Sequence, residues 1–193
     1  WLGLEVLEGA VVGGAVGPAV AFRSTGNGFV VGGRIAAQPA LKSTRLVDGG
    51  WTEIQSLATE NGETLMTLSL AVAPNGYAFV GWTQADGGLT NAWRTRNRDP
   101  NGWTDTGLLE ADNVNVAQGV RVAASPEGDA IAVWTQGDVV SAEPYAVSSL
   151  AWGNSFVPVT QDGGQQNPVV VMAAGGATTV AWSHNSNIWI ARA

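Results

Sequence analysis

At 193 residues the chain suits one domain, or an array of small units that share a continuous core. With 45% hydrophobic and 13% charged residues it is not a disordered chain, and no apolar stretch approaches the roughly 20 residues that a membrane-spanning helix needs. A net charge of −7 argues against nucleic acid or an anionic membrane as the main partner, and the absence of cysteine excludes disulfides, zinc–thiolate sites and thiol nucleophiles.

The 26 glycines and 9 tryptophans suit many short strands joined by tight turns, and no helical apolar period lasts three turns. The predicted class is therefore all-β. Residues 1–8 match two later segments that open at Trp51 and Trp103, with Glu8 falling at the place of Glu110. Strands are then predicted at 19–22, 29–34, 40–46 and 51–57, with turns at Gly26-Asn27-Gly28 and Gly49-Gly50. The next group is the clearest: 68–73, the turn Pro74-Asn75-Gly76, 77–83, a polar loop over 84–91, 92–96, the turn Asp99-Pro100-Asn101-Gly102, and 103–109. In such turns proline pre-sets φ and glycine supplies the positive φ. A third group runs 120–124, Pro126-Glu127-Gly128, 129–135, 145–150 and 156–160. The fourth has 169–172, Gly175-Gly176, 177–183 and 188–193, one strand short of the others.

The groups are copies of one unit. A turn glycine is followed six residues later by an anchor, in the pairs Gly28/Arg34, Gly76/Trp82, Gly128/Trp134 and Gly176/Trp182. Successive glycines lie 48, 52 and 48 residues apart (76 − 28, 128 − 76, 176 − 128), a period typical of propellers and solenoids. Four antiparallel strands in about 50 residues make a propeller blade. The predicted architecture is one four-bladed β-propeller over 1–193: blade 1 about 17–57, blade 2 about 68–109, blade 3 about 119–160, and blade 4 about 167–193 completed by 1–8. That closure removes two exposed sheet edges. Trp82, Trp134 and Trp182 share strand faces with small partners and are expected to interlock neighbouring sheets, whereas Trp152, off the repeat, is expected to be an exposed aromatic.

The segments from Val72 to Gln84 and from Val122 to Gln136, each with a turn glycine, an apolar strand and Trp-Thr-Gln, resemble a repeat of bacterial secreted and surface-anchored β-propellers. The "GW" turns at Gly50-Trp51 and Gly102-Trp103 belong to the same resemblance. It covers nearly the whole chain and implies fold more than activity. The blade count is shared with hemopexin, but neither hemopexin's sequence motifs nor its closing disulfide are present. Sialidase-type and WD-type turn motifs are also missing.

No catalytic constellation assembles from the sequence. His184 is the only histidine, and the carboxylates are scattered over turns and loops, Glu127, Asp162, Asp86 and Asp138, with no evident apolar setting to raise one pKa. The expectation is therefore a non-enzymatic binding or interaction module with no catalytic residue, metal or cofactor, and an unspecified protein or glycan partner. It is expected to act as one copy or two, in a secreted or cell-surface setting. The start at Trp1, without methionine or signal sequence, and the lysine-poor make-up lean to an exported, trimmed product. A carbohydrate-binding propeller and a glycosidase-like enzyme are the alternatives. Candidate ligand-binding residues are the repeated loop set Thr83, Gln84, Asp86, Thr135, Gln136, Asp138, His184 and Asn185, with Trp152 and with Arg34, which stands where the other repeats carry tryptophan. Arg94, Arg96 and Arg98 alternate onto one strand face, a solvated basic stripe or an anion site.

Overall fold

Turn chemistry and two-residue alternation decide the local structure. A computed structural model describes residues 15–34, 40–59, 64–98, 102–111, 114–159 and 163–193. Among them, apart from one 3-10 turn at Ala174–Gly176, every element is a strand. The first sheet holds β1 (Ala15–Phe22), β2 (Gly28–Arg34), β3 (Ala40–Val47), β4 (Gly50–Trp51) and β5 (Gln55–Thr59). The second holds β6 (Leu65–Val72), β7 (Tyr77–Asp86), β8 (Leu89–Arg98) and β9 (Trp103–Leu108). The third holds β10 (Ala117–Ala124), β11 (Ala130–Gln136), β12 (Val139–Ala146) and β13 (Ala151–Trp152). The fourth holds β14 (Gln166–Met172), β15 (Thr178–His184) and β16 (Asn187–Arg192). All pairings are antiparallel between chain neighbours, save that β3 pairs both β4 and β5.

Two sequence expectations are corrected. Residues 84–91 are no loop: Gly87 and Gly88, at φ 59° and 89°, form a two-residue turn, so β7 and β8 run straight through Gln84 and Asn91. The third strand of the third sheet is β12, beginning at Val139 just after the Gly137-Asp138 turn, and not a strand over 145–150. Pro144 stands inside β12 opposite Ile131, and Phe156 contributes only an isolated bridge to Ala142. No sheet closes onto the first among the described residues, and the predicted closing segment 1–8 lies outside them.

The first strand of each sheet packs on the first strand of the next, and each carries a bulge at the same place, between Val16 and Ala19, Leu65 and Leu68, Gln118 and Arg121, and Gln166 and Val169. Each sheet stacks on the one before it, with β6 on β1, β10 on β6 and β7, and β14 on β10 and β11. The anchor tryptophans fill these interfaces. Trp82, Trp134 and Trp182 are 0%, 1% and 3% exposed and sit with Val31 and Leu41, with Ala92 and Leu109, and with Val133 and Ala142 of the preceding sheet. Their turns link the sheets on one side: Arg23 Nη2 donates to the Gly76 carbonyl at 2.9 Å, Asn75 Nδ2 donates to the Glu127 carbonyl, and Glu127 Oε2 accepts the Gly175 amide at 3.3 Å. The Glu127 carboxyl is held below its ordinary value first by its own backbone amide and then by the Ser125 side chain, with the Gly175 amide a smaller contribution.

Candidate functional site

Between the second and third sheets the alternation of β8 meets an acidic and aromatic strand. Arg94, Arg96 and Arg98 project from one face of β8, and each guanidinium lies over a ring: Arg94 over Trp152 at 4.9 Å, Arg96 over Tyr145 at 5.4 Å, and Arg98 over Tyr77 at 5.6 Å. The basic stripe is thus stacked on aromatic faces, not freely solvated. Two carboxylates complete it. Arg94 Nε donates to Glu143 Oε1 at 3.2 Å, while Arg94 Nη1 donates to the Asp105 carbonyl at 2.9 Å and lies 3.7 Å from its carboxylate. Arg96 Nε donates to Asp105 Oδ2 at 3.3 Å.

Local geometry explains why these groups converge. Asp105 sits at φ 63° where the β8–β9 register shifts between Arg94 and Arg96, and the bulge turns its carboxylate back over both arginines. Glu143 and Tyr145 alternate onto one face of β12, and Tyr145 pairs with Trp152 across β12 and β13. The Glu143 side chain is 5% exposed, and burial pushes its carboxyl up from 4.5 to about 7 against the pull of Arg94. Burial also raises the Tyr145 hydroxyl, with Arg96 opposing. Phe79, Tyr145 and Trp152 form an aromatic cluster with ring centroids 5.0 to 6.0 Å apart, and Arg94, which bonds Glu143, lies over its Trp152 ring. Tyr145 and Trp152 also line a cleft of about 360 Å³, together with Asp129, Ser148, Ser149 and Met172. The Tyr145 hydroxyl and the Trp152 indole N–H have no hydrogen-bond partner among the described residues.

The sequence candidates are spread over other places. Thr83 is buried and shares a 2.7 Å hydrogen bond with Thr67 across the first bulge of the second sheet, and Gln84 Oε1 accepts the Trp82 indole N–H at 3.2 Å. Gln136 Oε1 accepts the Trp134 indole N–H at 2.9 Å, and Gln136 Nε2 donates to the Asn115 carbonyl. Thr135 is buried beside it. The Asp138 carbonyl accepts the Gln165 amide at 3.0 Å. His184 is buried edge-on to Trp189 at 6.0 Å, with Nε2 3.0 Å from Asn185 Nδ2. Trp152 is half-buried and is the one candidate that the Glu143 cluster includes. The side chains of Arg34 and Asp86 lie outside the described residues. Sequence reasoning missed Glu143, Tyr145 and Asp105. The signal is present as Glu-x-Tyr at two-residue spacing, but the strand predicted over 145–150 begins after Glu143, whereas β12 begins at Val139.

No protein-family model matches the chain, and no curated protein matches it. Solved structures do. An α-L-arabinofuranosidase from Podospora anserina, complexed with cellotriose, is 13% identical with a TM-score of 0.51, over 93% of this chain and 63% of that one. A Penicillium chrysogenum α-L-arabinanase, complexed with arabinobiose, is 14% identical with a TM-score of 0.54, over 86% of this chain and 56% of that one. An ulvan lyase is 7% identical with a TM-score of 0.61, over 91% of this chain and 51% of that one. The chain spans about half to two thirds of the length of these three. At such identity the likeness shows the fold alone, an all-β antiparallel arrangement consistent with a repeat propeller, and no hemopexin link appears.

The expectation of a non-enzymatic module is overturned by these likenesses, which are to carbohydrate-active enzymes. The physical ground for that expectation also fails. It required that no carboxylate have an apolar setting, and Glu143 has one.

Proposed function

We propose that this chain is part of a glycan-processing β-propeller, with Glu143 as proton donor and Asp105 as the second carboxylate. Its four sheets are four blades, with 1–8 supplying the outer strand of the blade that β14, β15 and β16 begin. The observation that carries the reading is the buried carboxyl of Glu143, raised to about 7 and hydrogen-bonded to Arg94 beside Asp105. A glycosidic oxygen leaves only when protonated, and a donor works best with its pKa near the operating pH. Glu143 meets that condition, and Arg94, bonded to both acids, keeps them in one cluster. The adjoining cleft suits a sugar: Tyr145 and Trp152 offer ring faces, Ser148 and Ser149 hydroxyls, and Asp129 a carboxylate. The matched structures support a glycan as partner, an extracellular setting is proposed with it, and no described helix is long and apolar enough to cross a membrane.

The test is release of reducing ends from arabinan, arabinoxylan and ulvan by the wild-type chain, Glu143→Gln and Asp105→Asn. The wild type is expected to cleave at least one of them and Glu143→Gln to do so about 100-fold more slowly, at the low end for loss of a positioned acid. Inactivity of the wild type on all three, or full activity of Glu143→Gln, would sink the reading.

A further inference from the structure

The face of β8 toward the third sheet carries more positive charge than its acids balance. Three guanidiniums, of Arg94, Arg96 and Arg98, meet two carboxylates, of Glu143 and Asp105, so the cluster stays cationic even with both acids ionised. Bonding and exposure are graded along the strand. The Arg94 and Arg96 side chains are 15% exposed and are paired with those acids, and the Asp105 side chain is 38% exposed. Arg98 is exposed, and its side chain has no hydrogen bond or carboxylate partner among the described residues. It lies over the Tyr77 ring at 5.6 Å, and that ring is 6.2 Å from the Tyr145 ring beneath Arg96.

Stacking leaves the donors of Arg98 free. A guanidinium laid on a ring uses its face, while its N–H groups point outward in the plane as the fork that fits a carboxylate or a sulfate. Arg98 stands two residues beyond Arg96, roughly 7 Å along the strand, so what it holds lies beside the Glu143 and Asp105 pair and not on it. A chain of net charge −7 repels anions over much of its surface, and the stripe is a local exception. We infer that the glycan taken at this site carries an acidic substituent, a carboxylate or a sulfate, which Arg98 receives while an adjoining sugar unit lies at the two carboxylates. The ligand class rests on the glycan-processing reading proposed above, to which Arg98 adds the charge. Arabinan is neutral and offers Arg98 no anion, whereas a uronic-acid or sulfated chain does. Arg98 is thus a specificity-determining residue and takes no part in proton transfer.

The test is binding, read by isothermal titration calorimetry in the wild-type chain and in Glu143→Gln, where turnover is slow. The probes are an oligogalacturonate and its methyl ester, and a carrageenan oligosaccharide and its desulfated form. At least one acidic probe is expected to bind about 10-fold more tightly than its neutral counterpart, the scale of one charge-assisted hydrogen bond. The probe that shows the margin tells carboxylate from sulfate. Arg98→Gln is expected to abolish the margin and Arg98→Lys to keep part of it, with far-UV circular dichroism unchanged because the side chain is exposed. Equal affinity for acidic and neutral probes, no binding of either acidic probe, or a margin that survives Arg98→Gln overturns the inference. A chain that cleaves arabinan yet binds neither acidic probe overturns it while the glycan-processing reading stands. Acidic probes that bind through Arg98 and are not cleaved sustain it and count against Glu143 as proton donor.

Discussion

A glutamate is pushed to about 7 only where water is kept from it, and the cost of that exclusion is readable in stability. The Glu143 carboxyl, raised from 4.5 to about 7 chiefly by burial, keeps its proton in the folded chain at pH values where the unfolded chain has lost it. The folded state therefore binds more protons across that window, and stability is full below about 4.5 and falls as pH rises to about 7. The whole loss is on the order of 3 kcal/mol. Glu143→Gln removes the titrating proton, so its denaturation midpoint should change less between pH 4.5 and 7 than that of the wild type, as followed by urea unfolding at a series of pH values. An equally steep profile in the variant would place the pH dependence elsewhere. The same scale explains what the sequence concealed. The number and spacing of acids are visible in one dimension, but the burial that raises this carboxyl arises where β12 meets Arg94 of the second sheet.

Within an element, the repeat works through a latch and a volume match. In the second and third sheets the anchor tryptophan gives its indole N–H to the glutamine two residues on, which pins a large ring in the interface. Trp134→Ala removes a ring that is 1% exposed and is expected to cost about 3–5 kcal/mol, measured by chemical denaturation. In the fourth sheet His184 takes the glutamine's place, and the Trp182 indole N–H has no partner among the described residues. Between sheets, the missing side chain of Gly81 makes room for its neighbour: a Cβ there would lie 2.4 Å from Val120 Cγ1 and 3.0 Å from Val122 Cγ1. Gly81→Val is therefore expected to destabilise by about 1–3 kcal/mol, the usual cost of overpacking, and Val120→Ala in the same chain should recover part of it. The repeat pattern predicted the tryptophan positions, because the alternation that buries them is local. It did not predict the glycine, because the volume that Gly81 leaves empty is filled by a strand about 40 residues away.

Across the whole molecule, protection should be uneven. β7 and β11 lie inside the two middle sheets and are almost wholly buried, while β1 and β16 belong to the first and last sheets of the stack. Amide hydrogen exchange is expected to be slowest in β7 and β11, since opening them requires two sheet interfaces to part. Exchange from β11 as fast as from β16 would contradict the stacked arrangement. By itself the sequence determined the all-β class, the four-fold repeat, the turns and the buried tryptophans, since each depends on backbone preferences and period-two alternation within one unit. Only the tertiary structure decided that 84–91 is a tight hairpin, that β12 begins at Val139, and that Glu143, Asp105 and the three stacked arginines form one cluster. Those outcomes depend on register between strands and on which faces of neighbouring sheets exclude water, and a linear pattern does not contain either.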